Sequence, residues 1–247
     1  MSVKTWIVFA VLCLGLLAGL VAINQQNRVD VSGVNASKLQ PASANNGNIA
    51  DNTLGNAKSK VRIIEYGDYQ CPGCRSAAPI LKQLTEKYKD DIALVFRNMP
   101  LNSIHPNARA AAAAAEAAGL QGKFWQMHDQ LYSSQDSWSQ LSSSERTDVF
   151  KSYAEGFGLD AKKWQDDLTS SKVAAKIDYD SALARQLGVT GTPAIYVNGQ
   201  PVDQYTKDGK IVSKSVEGAG PVWGDVEAFE KLILIPAMKK AGINYQD

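Results

Sequence analysis

Glu65-Tyr66-Gly67-Asp68-Tyr69-Gln70-Cys71-Pro72-Gly73-Cys74 carries an extended apolar segment straight into two cysteines three positions apart. Just upstream, Val61, Ile63, Ile64 and Tyr66 are β-branched or aromatic, the composition of a short buried strand. Downstream the period changes. Ala77, Ala78, Ile80, Leu81, Leu84 and Tyr88 recur at helical spacing, and Pro72 occupies the first turn, where a residue without an N–H is tolerated. Cys71 is therefore expected where a strand ends and a helix begins. Free backbone N–H groups and the positive end of the helix dipole favour an anion there, and the anion on hand is a thiolate. Cys74, one turn later on the same face, is placed to close a disulfide with Cys71 and to resolve an exchange reaction. The same spacing also serves half of a zinc site or a stapling disulfide. With three cysteines and two histidines in the whole chain, and Cys13 far away in an apolar run, redox chemistry is the favoured reading.

Other motifs follow in order: Phe96-Arg97-Asn98-Met99-Pro100-Leu101, His105-Pro106-Asn107-Ala108, Gly122-Lys123-Phe124-Trp125 and Gly191-Thr192-Pro193. Together with Asp68-Tyr69-Gln70-Cys71-Pro72-Gly73-Cys74 they resemble the DsbA-like thiol:disulfide oxidoreductases, particularly the membrane-anchored members, over about residues 54–243. The resemblance implies a thioredoxin-like α/β fold with an inserted all-helical subdomain. It makes Cys71 and Cys74 catalytic, with Pro72-Gly73 completing the active-site motif. It places Pro193 in cis against the cysteine pair, so that Thr192 offers backbone groups to an extended substrate segment. Glu65, six residues before Cys71, matches a buried acidic residue that tunes the thiol, and Arg97 is its candidate cationic partner.

Further implications concern chemistry and partners. The redox-active Cys71–Cys74 disulfide takes the place of a cofactor, and no metal is expected. Reduced exported proteins are the implied substrates, and a DsbB- or VKOR-like membrane oxidase the implied reoxidising partner. Pro72-Gly73 departs from the Pro-His of strongly oxidising relatives, so no imidazole stands between the cysteines. A reductase or isomerase on the same fold, a soft-metal delivery module and a peptide-binding chaperone are the competing readings.

At 247 residues, 45% hydrophobic and a net charge of +1, the chain suffices for one sizeable domain and a tail. No basic excess points to nucleic acid, and three cysteines exclude a disulfide-built miniprotein. Residues 6–23 carry no charge and follow Lys4, the pattern of an anchor or a signal peptide; the length of the run and the lack of a small-residue cleavage pair favour an uncleaved transmembrane anchor over residues 1–24. Residues 25–53, rich in Asn, Gln, Ser and Ala, predict a flexible linker. The expected catalytic domain, residues 54–247, then lies on the extracytoplasmic side of the plasma membrane of a bacterial cell envelope.

Within that domain, residues 92–98 read as a second strand. Helices are expected over 107–118, 123–132, 143–157, 161–168 and 171–187, which makes residues 103–188 the insertion. His128 reads as a packed core residue and His105 as a helix-entry residue. Strand character returns over 189–199 and closes with an Asn198-Gly199 turn, Lys207-Asp208-Gly209-Lys210 reads as a hairpin, and a last helix over 225–241 is interrupted or kinked at Pro236.

Overall fold

The computed structural model describes residues 3–26 and 29–243. It opens on helix α1 (Val3–Gln26), which exposes Trp6, Ile7, Phe9, Leu12, Leu14 and Leu17. Among the described residues no helix is long and apolar enough to cross a membrane, so the anchor over residues 1–24 is not borne out by them.

The flexible linker is a correction. Residues 27 and 28 lie outside the described residues, but from Val29 onward the segment is packed onto the domain, with Val31, Ala36, Gln40, Asn46 and Ile49 buried. Gly47, in the left-handed region at φ 64°, closes a single helical turn over Ala44–Asn46, and a Cβ there would collide with the Lys172 carbonyl. Buried charge supplies the adhesion. Asp51 accepts from Arg97 Nη2 at 2.8 Å and from Lys176 Nζ at 3.0 Å, and Arg97 also donates to the carbonyls of Ala36 (2.5 Å) and Lys38 (2.6 Å). A segment poor in apolar residues is held by hydrogen bonds to a buried guanidinium, which composition does not register.

Strand β1 (Asn52–Gly55) forms the edge of a five-stranded sheet. Next in the chain come β2 (Val61–Gly67), helix α2 (Pro72–Lys87) and β3 (Ile92–Asn98). β2 and β3 pair in parallel because α2 crosses between them, and β1 pairs antiparallel with β3. β4 (Ala194–Val197) runs antiparallel to β2, followed by β5 (Gln200–Pro201), which gives the order β1-β3-β2-β4-β5. Asn198 and Gly199, at φ 51° and 80°, make the expected turn between the last two.

Six helices separate β3 from β4: α3 (Ala108–Gly119), α4 (Phe124–Ser133), α5 (Gln135–Trp138), α6 (Ser143–Gly156), α7 (Ala161–Leu168) and α8 (Ser171–Gln186). The alanines of α3 let its neighbours approach closely, and Trp138, Phe150 and Trp164 fill the core around it. On the opposite face of the sheet, α8 packs Tyr179 and Leu183 against Ile64, Tyr66 and Val95. A small second sheet, β6 (Tyr205–Lys207), β7 (Lys210–Val212) and β8 (Gly220–Pro221), carries the hairpin turn at Asp208-Gly209. The final helix is not one α-helix. α9 (Val226–Phe229) passes through a π-helical turn, Glu230–Leu234, into α10 (Ile235–Lys240), whose first turn holds Pro236. Pro236 has no N–H to continue the helical ladder, and the wider turn lies directly before it.

Candidate active site

Cys71 stands between β2 and α2 as the residue capping the helix N-terminus, with φ −74° and ψ 124°, and Pro72 is the first helical residue. Cys74 sits one turn deeper and is fully buried, whereas Cys71 keeps 8% of its surface. Both are free thiols here. The loop before them is tied down. Asp68 Oδ1 accepts from the Gln70 N–H at 2.7 Å, while Oδ2 takes the Leu101 N–H and His105 Nδ1, each at 2.8 Å. Gln135 Nε2 donates to the carbonyls of Tyr69 (2.7 Å) and Cys71 (3.2 Å). Gln70 reaches into the insertion, accepting from the Asn107 N–H at 2.6 Å and donating to the Ser139 carbonyl at 2.8 Å. The sequence marks Asp68, Gln70, His105 and Asn107 as motif members without giving them a role at the site; His105 reads there as a helix-entry residue. Gln135 carries no sequence signal, because its place depends on how α5 folds back.

Thr192 and Pro193 arrive from the other side. Their peptide bond is cis, and the Cys71 S–H points at the Thr192 carbonyl, 3.3 Å away. A Cβ on Gly73 would meet Pro193 Cδ at 3.1 Å and Cys71 Sγ at 3.7 Å, so the glycine, the proline and the sulfur form one surface. The structure thus brings together Cys71, Pro72, Gly73, Cys74, Thr192 and Pro193.

The two thiols differ in acidity. A hydrogen bond from the Cys74 thiol is the main cause that lowers Cys71 to about 5; the Thr192 hydroxyl and the N–H groups of Cys74 and Gly73 add to it, against the effect of burial. Thr192 Oγ1 is buried without a hydrogen-bond partner among the described residues while Cys71 is a thiol, and is free to donate to the thiolate. Burial, with the neighbouring thiolate and Glu65, pushes Cys74 well above the ordinary thiol value. Glu65 lies beneath, its carboxyl raised to about 8 by burial and then by the Cys71 thiolate. Its Oε1 has no hydrogen-bond partner among the described residues.

Of the two readings open for Glu65, an ion pair with Arg97 or a carboxyl that handles a proton, the pair does not form. Glu65 is in register with Phe96 and Tyr66 with Arg97, so the carboxylate and the guanidinium point to opposite faces of the sheet. Arg97 instead bonds the Tyr66 hydroxyl at 2.8 Å and Asp51. His128 is the core residue the sequence suggests. It is buried among the rings of Tyr69, Phe96, Trp125 and Tyr132, and burial lowers its pKa.

A thioredoxin family model matches residues 47–213. At 32% identity over 152 residues, 60% of this chain aligns with 69% of the probable disulfide bond formation protein D of Bacillus anthracis. The chain belongs to the DsbA-like branch of the thioredoxin family. BdbD from Bacillus subtilis, in its oxidised form, shares the fold of this thioredoxin-family chain at a TM-score of 0.59 and 20% identity, covering 83% of this chain and 100% of that one. A stretch of 150 residues, 61% of the chain, is 37% identical to part of the Na(+)/H(+) antiporter NhaA 1 of Salinispora arenicola. The chain spans only 22% of the length of that antiporter.

Proposed function

We propose that this DsbA-like protein is an extracytoplasmic dithiol oxidase that introduces disulfides into exported proteins at Cys71-Pro72-Gly73-Cys74. One observation carries the reading: the outer thiol is held at about 5 while the inner one is pushed above its ordinary value. A stabilised thiolate favours the reduced pair, so electrons run from substrate thiols into the protein.

The reaction starts from the Cys71–Cys74 disulfide. A substrate thiolate attacks Cys71 Sγ, the more accessible sulfur; the S–S bond breaks, a mixed disulfide forms, and the electron pair leaves on Cys74. Cys74 takes up a proton, because its buried thiolate is unfavourable, and Glu65, whose charge is felt at Cys74, holds one near neutral pH. A second substrate thiolate attacks the substrate sulfur of the mixed disulfide. Cys71 then departs as the thiolate that Cys74, Thr192 and the helix N-terminus stabilise, and the substrate leaves oxidised. Thr192 and Pro193 bind the substrate backbone beside Cys71, a role supported by their contact with its sulfur and with Gly73.

A membrane oxidase of the DsbB or VKOR kind would return the electrons onward. Anchoring through α1 is part of the same proposal, supported by its exposed apolar side chains. The rate of iodoacetamide alkylation of the reduced protein against pH tests the core of it. Cys71 should react half-maximally near pH 5, and equilibration with glutathione should show an oxidising pair. A midpoint near that of an ordinary thiol, or a potential as low as a reducing thioredoxin, overturns the assignment.

A further inference from the structure

At the end of β2 remote from the cysteines lies an open cleft of about 690 Å³. Its floor is apolar, with Val197 and Val202 contributed by the sheet region and Leu232, Ile233 and Ala237 by the final helical run. Its rim is cationic, with Lys38, Lys60, Arg62 and Lys240, and no Asp or Glu lines it. Among the described residues these four make no ion pair, whereas Lys82, Lys151, Lys162, Lys163, Lys172 and Lys231 all do.

Arg62 is the innermost cation. Its Nη1 and Nη2 reach only the carbonyls of Ser37 and Ser59, at 3.3 and 3.5 Å, and its buried Nε has no partner among the described residues. Burial, then the neighbouring Arg97, lowers its pKa, and Asp51 offsets them only in part. The buried Gln204 Oε1 lines the same cleft and lacks a donor among the described residues. The cleft therefore asks for three things in one molecule: a negative head for the cations, a hydroxyl to donate to Gln204, and an apolar tail for the floor. Lys38 is twelve residues beyond Gln26, where the apolar α1 ends.

We propose that this cleft binds an anionic phospholipid with hydroxyls on its headgroup, of the chemistry of phosphatidylglycerol, with its glycerol backbone and upper acyl chain over Leu232 and Ile233. The proposal is independent of the thiol chemistry and rests on the anchoring reading only for the nearness of lipid. A soluble short-chain lipid separates the two. The full chain, held in neutral maltoside micelles, is titrated with dihexanoyl-phosphatidylglycerol, dihexanoyl-phosphatidylcholine or inorganic phosphate, and the amide resonances of Asn198 and Gln200 are followed.

Saturable shifts with phosphatidylglycerol are expected, with phosphatidylcholine and phosphate each on the order of tenfold weaker. Reversing two rim charges, Lys60→Glu with Lys240→Glu, should weaken phosphatidylglycerol on the order of tenfold and leave thiol oxidation unchanged. Ala237→Trp, which fills the floor without altering charge, should remove binding. Equal binding of phosphate would make this a free-anion site, and equal binding of phosphatidylcholine a merely apolar one; either overturns the proposal. So does the absence of a saturable shift, or a charge-reversed protein that binds like the parent. Carbonate extraction of cell membranes reports on anchoring by α1 separately.

Discussion

Two buried clusters share β2 and β3 and are built on opposite principles. On one face Asp51 sits between Arg97 and Lys176, all three essentially without solvent contact, and Lys176 also bonds Asp180 at 2.7 Å. Burial alone would raise Asp51, but Lys176 and Arg97 overcome it and hold the carboxyl low. On the other face Glu65 is just as buried, has no cation beside it among the described residues, and is raised to about 8. The period of the strand does the sorting, since adjacent positions on β2 look to opposite sides. A buried carboxylate with partners fixes structure; one without partners is left to titrate beside the cysteines.

The sharpest way to break this contrast is to remove the sulfur that the second cluster serves. Cys71→Ala should abolish oxidation of a model dithiol peptide while the far-ultraviolet circular dichroism is kept. Residual turnover would mean that the unpaired carboxylate has no redox purpose. Next comes the paired cluster. Asp51→Ala leaves buried Arg97 without a carboxylate and Lys176 with Asp180 alone, and should cost about 3–5 kcal/mol in urea unfolding. It should also free residues 29–53 to proteolysis, because Arg97 and Asp51 together clamp that segment. If Asp51→Ala unfolds at the same urea concentration as the parent, the first cluster does not hold the fold.

The contrast also explains what was legible beforehand. The strand–cysteine–helix junction was plain, because the shift in hydrophobic period falls right at Cys71, and β3 over Ile92–Asn98 and α7 over Ala161–Leu168 were located to the residue. Packing of the 29–53 segment was not, since its adhesion comes from one guanidinium that lies 46 residues from Asp51 in the chain. The pairing of Glu65 with Arg97 failed for a related reason: charge complementarity was visible, but the side of the sheet depends on strand register. Gln135 was invisible too, because a four-residue helix leaves no periodic trace.

A third measurement, smaller than the first two, uses pH. Glu65 is protonated in folded and unfolded protein below its ordinary value of 4.5, so folding is not penalised there. Between 4.5 and about 8 the unfolded chain has released the proton that the folded protein keeps, and the penalty grows with pH; above about 8 it is constant. Glu65→Gln escapes this penalty. On the oxidised proteins, where burial alone raises the carboxyl, its stability relative to the parent should climb with pH above 4.5 by at most ~1.4 kcal/mol per pH unit and level off below about 8. A difference that is flat with pH would mean that Glu65 is ionised and paired after all, and the contrast between the two clusters would vanish.

The smallest effect is expected at Gly73. A methyl there would lie 3.1 Å from Pro193 Cδ and 3.7 Å from both Cys71 Sγ and Trp223 Cη2, so Pro193 must give by a few tenths of an ångström. Alanine in the first turn of α2 also raises helix propensity by up to about 1 kcal/mol, which offsets the crowding. Gly73→Ala should therefore fold with near-parental stability and keep an alkylation midpoint near 5, since the hydrogen bonds to Cys71 come from Cys74, Thr192 and the backbone. The distance from Thr192 and Pro193 to the sulfur is what changes. Oxidation of a peptide dithiol should slow severalfold while alkylation by small iodoacetamide does not, because only the peptide needs the Thr192 backbone beside the sulfur. Equal slowing of both reagents would trace the loss to the thiolate itself and remove Thr192 and Pro193 from substrate binding.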